Sequence, residues 1–499
     1  MPKFNLRTVV YLVFVIFMTT KIYSVSQTLT TLTSFDGANG ANPWYGNLVQ
    51  GIDGNFYGTT YQGGTGTGCF GGTGDGCGTV FSITQSGNLR ILHSFCSKEN
   101  CADGYFPASG LVQTTDGNLY GTTEGGGASY SYGTVFKITT DGTLTTLYNF
   151  CSQANCADGS NPYGSLVQAT NGNFYGTTVT GGANRGGTVF EITPSGKMTI
   201  LYSFCSKSAC ADGSSPYAGL IQAADGNLYG TTYDGGSRDA GVVFKMTPAG
   251  LLTTLYSFCS QANCADGDVS FAPLAEGPEG NFYGTTIYGG STGCCGTVFK
   301  ITTTGQFTSL YTFCSETNCD DGGYPSAGLA LADGKLYGTT GANGPNSDAG
   351  TLFDITTTGA LTTLYSFCTQ SGCTDGSNPF GGLIQSTDGT FYGTTYFGGM
   401  GSCNGPVSGC GTVFDFSVDL RPFVRTLPLA GRIGEDIDIL GSKLAGVSAV
   451  SFNGMSAQFE LRSPSLVVAR IPEGAATGLV KVTLPEGMLS SNTPFYVLP

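Results

Sequence analysis

The segment LTTLYNFCSQANCADGSNPYGSLVQATNGNFYGTT, residues 144–178, contains the unit that this chain of 499 residues repeats. Its final tetrapeptide, Y-G-T-T, occurs seven times, at spacings of 63, 55, 54, 54, 54 and 55 residues. The copies begin at Tyr57, Tyr120, Tyr175, Tyr229, Tyr283, Tyr337 and Tyr392. A nearly constant period of this length is typical of one supersecondary unit repeated in an array.

Each copy predicts four short strands with alternating polar and apolar residues. Asp116-Gly117 and Asp141-Gly142 mark tight turns in the second copy, because glycine tolerates the positive φ that such turns need. The strands predicted there are Gly110–Gln113, Asn118–Thr123, Gly133–Thr139 and Leu144–Phe150. Each copy is therefore expected to form a four-stranded antiparallel sheet that must pack on its neighbours.

The two ends of the array predict a closed ring. A lone strand, Leu29–Phe35, precedes the first Y-G-T-T, and no counterpart follows the last G-T-V-F at Gly411–Phe414. Pairing the first strand with the last repeat would remove the open sheet edges. We therefore expect an all-β chain with a seven-bladed β-propeller over residues 27–418; an open solenoid is the alternative.

The N-terminus predicts export. Lys3 and Arg7 precede the apolar run Val9–Met18, and small residues follow before Gln27, a pattern typical of a secretory signal over residues 1–26. A membrane anchor is the alternative, although ten apolar residues are short for a bilayer. Removing the leader changes the formal charge from −14 to −17, which disfavours nucleic acid and anionic lipid as partners. We expect a secreted, periplasmic or cell-surface protein.

All eighteen cysteines have a partner nearby in sequence, as is usual in an oxidising compartment. Six C-x4-C pairs are Cys96/Cys101, Cys151/Cys156, Cys205/Cys210, Cys259/Cys264, Cys314/Cys319 and Cys368/Cys373; the others are Cys69/Cys77, Cys403/Cys410 and the adjacent Cys294/Cys295. Local disulfides are expected, with metal binding as the alternative that the spacing does not favour. Whether Cys294 and Cys295 bond to each other stays open.

The repeats share the pattern L-x-Q-x-x-D-G-N-x-Y-G-T-T-x-x-G-G, followed by G-T-V-F-K-I-T and L-T-x-L-Y-S-F. This pattern resembles the GloVer tandem repeat of bacterial exported proteins. Those proteins often carry assorted C-terminal surface anchors. The resemblance covers roughly residues 28–416. It implies a bacterial exported protein. It implies no biochemical activity.

Residues 419–499 have a different composition and contain no cysteine. Short alternating segments predict strands at Ile437–Leu440, Ala449–Phe452, Ala457–Leu461, Leu466–Ile471 and Leu479–Leu484, which suggests a small β-sandwich. The glycine pattern at Gly431, Gly434 and Gly441, with V-S-F-N-G-M-S-A and A-R-I-P, resembles the TIG/IPT immunoglobulin-like domain. That resemblance implies a spacer or an interaction module.

The longer loops of all repeats should emerge on one face of the ring, and binding residues usually lie in such loops. We call each C-x4-C segment a cysteine loop. An aspartate follows this loop in six repeats and occupies the equivalent position in the first: Asp36, Asp103, Asp158, Asp212, Asp266, Asp321 and Asp375. A ring of carboxylates there could bind Ca²⁺. Alternatively, each aspartate caps its own Asp-Gly turn by local hydrogen bonds.

An aromatic residue lies beside a proline in each repeat and could stack on a sugar or a peptide. The candidates are Trp44, Tyr45, Phe106, Tyr163, Tyr217, Phe271, Tyr324 and Phe380. The alternative is that these rings pack between sheets. Trp44, the sole tryptophan, is the candidate most expected to be exposed, because its repeat lacks the cysteine loop.

Catalytic patterns are weak. The sole histidine, His93, occupies a position that is tyrosine in sister repeats, which predicts a packed strand residue. Glu124, Asp234 and Asp239 depart from the repeat pattern and could serve a carbohydrate-active hydrolase or lyase. The prediction is nevertheless a non-catalytic binding protein whose loop face takes a glycan or a protein, without a required cofactor. A purely structural envelope component is a further alternative.

Overall fold

The computed structural model describes residues 27–69, 76–128, 131–277, 280–346, 348–403 and 409–498, so the predicted leader lies outside the described residues. No α-helix occurs in these ranges. Their helical segments are three-residue 3-10 turns at Glu99–Cys101, Ala154–Cys156, Ser208–Cys210, Ala262–Cys264, Thr317–Cys319 and Ser371–Cys373. None of these turns has the length or apolar character that crossing a bilayer would require.

Six consecutive four-stranded antiparallel sheets follow the repeats. Sheet 1 is Val49–Gln50, Phe56–Thr60, Thr79–Ile83, Leu89–Ser94; sheet 2 is Val112–Gln113, Leu119–Thr123, Thr134–Ile138, Leu144–Asn149; sheet 3 is Val167–Gln168, Phe174–Thr178, Thr188–Ile192, Met198–Ser203. Sheet 4 is Ile221–Gln222, Leu228–Thr231, Val242–Met246, Leu252–Ser257; sheet 5 is Ala275–Glu276, Phe282–Thr286, Thr297–Ile301, Phe307–Thr312; sheet 6 is Ala330–Ala332, Lys335–Thr339, Thr351–Thr356, Leu361–Ser366. The predicted four-stranded antiparallel units are confirmed.

Sheet 7 joins the two ends of the repeat array. Its strands, in chain order along the last repeat, are Ile384–Gln385, Phe391–Thr395 and Thr412–Ser417, and its fourth strand is Thr28–Ser34 from the start of the chain. The pairing is antiparallel and runs from Thr28 opposite Ser417 to Ser34 opposite Thr412. The predicted pairing of the first strand with the last repeat is confirmed.

Apolar clusters connect each sheet to the next, and the last sheet to the first. The tyrosine of each Y-G-T-T packs against the next sheet. The residue it meets there is the phenylalanine or leucine immediately before the Y-G-T-T of that sheet. At the closure, the rings of Tyr392 and Phe56 lie 4.0 Å apart between centroids, and Tyr120 lies 4.3 Å from Phe174. The seven sheets therefore form a closed, propeller-like arrangement.

The remaining residues of Y-G-T-T are explained by close packing. A Cβ at Gly176 would lie 2.5 Å from the ring of Phe190, so a side chain is excluded there. The Thr177 hydroxyl donates to the carbonyl of Ala218 in the loop that leads to the next sheet, at 3.0 Å. Thr178 pairs with the hydroxyl of a threonine on the adjacent strand, at 2.8 Å. The motif thus combines packing within a sheet with contact between sheets.

Two further four-stranded sheets form the C-terminal part of the chain. One contains Val424–Leu427, Asp436–Gly441, Leu466–Arg470 and Phe459–Ser463; the other contains Met455–Ala457, Ala449–Phe452, Val480–Leu484 and Gly487–Ser490; Ala430–Arg432 pairs in parallel with Tyr496–Leu498. Residues of both four-stranded sheets share one buried core, which includes Ile439 and Val482. The two sheets therefore pack face to face, as expected for a sandwich.

This C-terminal part contacts the end of the ring that carries the Asp-Gly turns. The guanidinium of Arg425 donates to the carbonyl of Gln50 at 3.3 Å, and the hydroxyls of Thr387 and Ser442 lie 3.0 Å apart. The opposite end of the ring carries the loops between second and third strands and the loops that lead to the next sheet. We call that end the cysteine face.

Candidate functional site

All eighteen cysteines lie in loops of the cysteine face, and each bonds to its neighbour in sequence. The nine disulfides are Cys69–Cys77, Cys96–Cys101, Cys151–Cys156, Cys205–Cys210, Cys259–Cys264, Cys294–Cys295, Cys314–Cys319, Cys368–Cys373 and Cys403–Cys410. The expected local pairing is confirmed. The adjacent cysteines, whose partners the sequence left open, bond to each other.

The aspartate after each cysteine loop holds that loop in place. Asp158 is fully buried, and its Oδ2 accepts hydrogen bonds from the hydroxyl of Tyr148 at 2.7 Å and from the hydroxyl and N–H of Ser152 at 2.8 and 2.9 Å. Its Oδ1 accepts from the N–H of Gln153 at 3.2 Å. Burial alone would raise the pKa of Asp158, but these hydrogen bonds outweigh it and lower the pKa.

The same arrangement recurs at Asp103, Asp212, Asp266, Asp321 and Asp375, all of which are fully buried. Asp36, whose repeat lacks the cysteine loop, is exposed and bonds to Asn39. At the six buried aspartates the expectation of turn capping needs correction, because the donors lie five, six and ten residues before the aspartate. Asp36 does accept a hydrogen bond within its own turn, from the N–H of Asn39 at 2.8 Å. The buried carboxylates accept from their own loops, so the structure does not present them as the ring of ligands that Ca²⁺ would need.

Aromatic side chains from several sheets meet over the centre of the cysteine face. Tyr45, which precedes sheet 1, stacks on Phe271, which precedes sheet 5, with centroids 5.4 Å apart, and approaches Tyr163 at 6.4 Å. These sheets are not neighbours, so the contacts cross the axis of the ring. We define the aromatic cup as Trp44, Tyr45, Tyr61, Phe106, Tyr163, Tyr217, Tyr233, Phe271, Phe380 and Tyr396, all half-buried.

The predicted aromatic residues fall into two groups. One group consists of Trp44, Tyr163, Tyr217, Phe271 and Phe380, whose mutual contacts join neighbouring sheets. Tyr45 connects this group across the axis through Tyr163 and Phe271. Phe106 and Tyr324 instead stand immediately before the proline, with φ of 55° and 57°. Phe106 stacks on Tyr61 at 4.6 Å, and Tyr324 contacts Tyr288 at 5.8 Å outside the cup.

Trp44 is not the isolated exposed ring that the sequence suggested. It is half-buried and contacts Tyr45, Tyr61, Phe380 and Tyr396 at centroid distances of 5.3, 5.4, 5.9 and 4.6 Å. Its indole N–H is buried and makes no hydrogen bond within the described residues. The alternative of packing between sheets describes part of the arrangement, because Tyr217 contacts Tyr163 and Phe271 in the neighbouring sheets. Tyr45 in addition packs across the axis.

Three members of the cup were not among the predicted site residues. Tyr61, Tyr233 and Tyr396 each follow a Y-G-T-T directly, and Glu124 occupies the same position in the second copy. The residue at this position varies from copy to copy and ends the second strand at the cysteine face. This variability beside an otherwise regular tetrapeptide is the signal that could have identified the site.

Glu124 brings a carboxylate to the cup. The hydroxyl of Tyr61 donates to its Oε2 at 2.8 Å. Burial raises the pKa of Glu124, and the hydrogen bond from Tyr61 opposes that effect only in part. Burial and, after it, the charge of Glu124 raise the pKa of Tyr163, which places this ring in the electrostatic field of the carboxylate.

The other two acidic candidates, Asp234 and Asp239, lie together in the loop between the second and third strands of sheet 4. Burial, with the charge of Asp239 as a smaller cause, raises the pKa of Asp234. Asp239 accepts a hydrogen bond from the N–H of Gly235 at 2.9 Å and so shapes its own loop. In the described part of the chain, no hydrogen bond joins Glu124 to either aspartate. The two aspartates therefore share a loop of sheet 4, whereas Glu124 begins a loop of sheet 2.

His93 fills the position of a tyrosine, as the sequence predicted. Its Nε2 lies 2.9 Å from Oδ2 of Asp103, where the other cysteine loops have a tyrosine hydroxyl. The imidazole is therefore engaged in holding the loop. It is not paired with a nucleophile among the described contacts.

The model of the Gloeobacter/Verrucomicrobia repeat matches this chain twice, over residues 19–211 and 207–414. Together the two matches span residues 19–414, which is nearly the whole ring. No curated protein matches the chain.

Among solved structures, a fungal alcohol oxidase of the AA5 family, in complex with copper, is similar with a TM-score of 0.51 and 14% identity over 92% of this chain and 98% of that one. An aldose sugar dehydrogenase from Streptomyces coelicolor, in its PQQ-bound form, has a TM-score of 0.36 and 13% identity over 79% of this chain and 98% of that one. The first likeness shows the fold alone. The second is too weak to support an argument.

Proposed function

This chain belongs to the Gloeobacter/Verrucomicrobia repeat family, and from that premise we propose that it is an exported, non-catalytic binding protein. In this proposal the repeats are a seven-bladed β-propeller, and the C-terminal sandwich is an immunoglobulin-like module of the TIG/IPT type that acts as a spacer. The cysteine face takes up the ligand, a glycan or a protein segment. Nine disulfides support an oxidising compartment and hence export.

The aromatic cup is the observation that carries this proposal. Five of its half-buried rings follow loops that a disulfide and a buried aspartate stiffen: Phe106, Tyr163, Tyr217, Phe271 and Phe380. Rigid aromatic side chains offer a large contact area with little loss of conformational entropy on binding. A preformed surface of this kind suits a ligand with flat apolar faces, such as a sugar ring or an aromatic peptide side chain.

A glycan and peptide array tests the proposal with the full chain. We expect binding that Trp44→Ala reduces by at least roughly tenfold, because that ring touches four others in the cup. Tyr324→Ala is the matched control, since its described ring contact is with Tyr288 outside the cup. Equal loss in both variants, or no ligand on either array, would contradict the proposal.

One observation favours a second candidate, a carbohydrate-active hydrolase or lyase. The raised pKa of Glu124 is the property that a general acid requires near neutral pH. New reducing ends released from mixed polysaccharides, and lost in Glu124→Gln, would favour this candidate over the binding protein. A structural envelope component is the third candidate, supported by the regularity of the repeats alone.

A further inference from the structure

The carboxylate of Glu124 lacks a cationic partner. None of the ion pairs among the described residues includes it. Its side-chain hydrogen bond comes from the neutral hydroxyl of Tyr61, and the amide of Asn161 reaches only its main-chain carbonyl, at 3.1 Å. A charge that is removed from water without a counter-charge is unfavourable, and a positively charged ligand would relieve this cost.

Two further carboxylates give the cup a negative potential. Asp234 follows the second strand of sheet 4, and Asp268 lies in the loop that leads from sheet 4 to sheet 5. Neither takes part in an ion pair in the described ranges. Burial, followed by the charges of nearby groups that include both aspartates, raises the pKa of Tyr233. The aromatic cup is therefore bordered by negative charge on more than one side.

The rings around Glu124 can bind a cation through their faces. Tyr61, whose hydroxyl donates to Glu124, lies 4.6 Å from Phe106 and 5.4 Å from Trp44 between ring centroids. Tyr163 lies within the field of the same carboxylate. Aromatic faces carry a negative quadrupole that attracts organic cations, and tryptophan and tyrosine attract them most strongly.

The chemistry of the cup selects among cations. Ca²⁺ needs six to eight oxygen ligands, whereas one carboxylate surrounded by rings supplies far fewer. A primary ammonium is strongly hydrated and needs several acceptors to replace its water. A methylated ammonium has little hydration to lose and presents methyl groups to aromatic faces. A neutral sugar would leave the charge of Glu124 uncompensated.

We propose that the aromatic cup binds a small organic cation with a methylated ammonium group, held against the rings of Tyr61 and Tyr163 beside the carboxylate of Glu124. This inference rests on the proposed binding function and specifies the charge of its ligand. Trp44 borders the same site and is the sole tryptophan of the chain. Its fluorescence therefore reports on the cup directly.

The test compares choline with its uncharged isostere, 3,3-dimethylbutan-1-ol, by titration of the full chain. We expect choline to change the fluorescence of Trp44 saturably and to bind at least roughly tenfold more tightly than the isostere. Equal affinity for both compounds, or no response to choline, would overturn the inference. A parallel titration with phosphatidylcholine vesicles shows whether the protein also binds the methylated ammonium group when it belongs to a lipid headgroup.

Charge-neutral variants complete the test. Glu124→Gln keeps the side-chain size and should reduce the preference for choline over the isostere to less than about twofold. Glu99→Gln, at an exposed position of the same face, is the matched control and should bind as the unmodified chain does. Binding of neutral saccharides without binding of choline would refute the cation while leaving the proposed binding function intact.

Discussion

The imidazole of His93 and the carboxylate of Asp103 lie 2.9 Å apart, and this contact replaces the tyrosine–aspartate hydrogen bond of the other cysteine loops. Burial alone would raise the pKa of Asp103. Hydrogen bonds from His93, from the Ser97 hydroxyl and from the N–H groups of Lys98 and Ser97 outweigh burial and lower that pKa to about 2. The ionised form of the carboxylate thus holds the loop.

This contact predicts how stability depends on pH. Because the folded-state pKa lies below the ordinary value of 3.8, ionised Asp103 stabilises the fold above that value. The contribution should decrease as the pH falls from 3.8 toward 2. Urea unfolding of the unmodified chain and of Asp103→Asn should show a difference in stability that shrinks over this interval. A difference that stays constant would contradict the assignment.

The buried aspartates should be far more important for stability than the exposed one. Asp158→Ala leaves the tyrosine, the serine and two N–H groups without their acceptor, so we expect a loss of roughly 2–4 kcal/mol. Asp36→Ala is the matched control, since that carboxylate is exposed, and should cost less than about 1 kcal/mol. Denaturant unfolding of both variants measures the comparison. Equal losses of stability in the two variants would show that the contribution of the aspartate does not depend on its burial.

The glycine of Y-G-T-T should not tolerate a methyl group. A Cβ at Gly176 would approach the Phe190 ring to 2.5 Å, so Gly176→Ala should cost roughly 1–3 kcal/mol by overpacking. Adding Phe190→Leu should recover part of the loss, because the double variant removes the clash. Thermal unfolding of the two single variants and the double variant tests this coupling. Strictly additive effects would exclude the contact as the cause.

Removing one loop disulfide should weaken the fold only modestly. Replacing both Cys151 and Cys156 by alanine releases a short loop, for which chain entropy gives about 2 kcal/mol. The hydrogen bonds of Asp158 remain and should keep the loop in place. Combining these replacements with Asp158→Ala should therefore cost more than the sum of the separate losses. A merely additive result would mean that the two restraints act independently.

Periodicity made much of the fold predictable. The spacing of Y-G-T-T gave the number of repeats, and the unmatched segment near Leu29 indicated its partner in the last repeat. Cysteines separated by only a few residues predicted local disulfides, because a short loop brings its two ends close together. In the C-terminal part, prediction missed Val424–Leu427, Ala430–Arg432, Gly487–Ser490 and Tyr496–Leu498, which are short and follow proline or turn residues.

The site was less predictable than the fold. Two positions flank the repeated proline. Only the structure distinguishes a ring with a contact across the axis, such as Tyr163 with Tyr45, from a ring before the proline, such as Tyr324. The donors of Asp158 could not be inferred, because the cysteine loop turns back on itself and presents residues several positions upstream. Contacts across a closed ring depend on the diameter of the ring. The repeat pattern in the sequence does not predict that diameter.

The pairing of Thr28 with Ser417 has a consequence for biosynthesis. The first strand of the ring is synthesised long before the strand with which it pairs, because that partner lies almost at the end of the repeat array. Until then, the strand and the edge it will cover are both exposed to other chains. A protein that is released prematurely from the ribosome therefore remains open, whereas a complete one closes on itself. Deleting residues 28–34 should reproduce the open state, detectable as concentration-dependent association in sedimentation experiments.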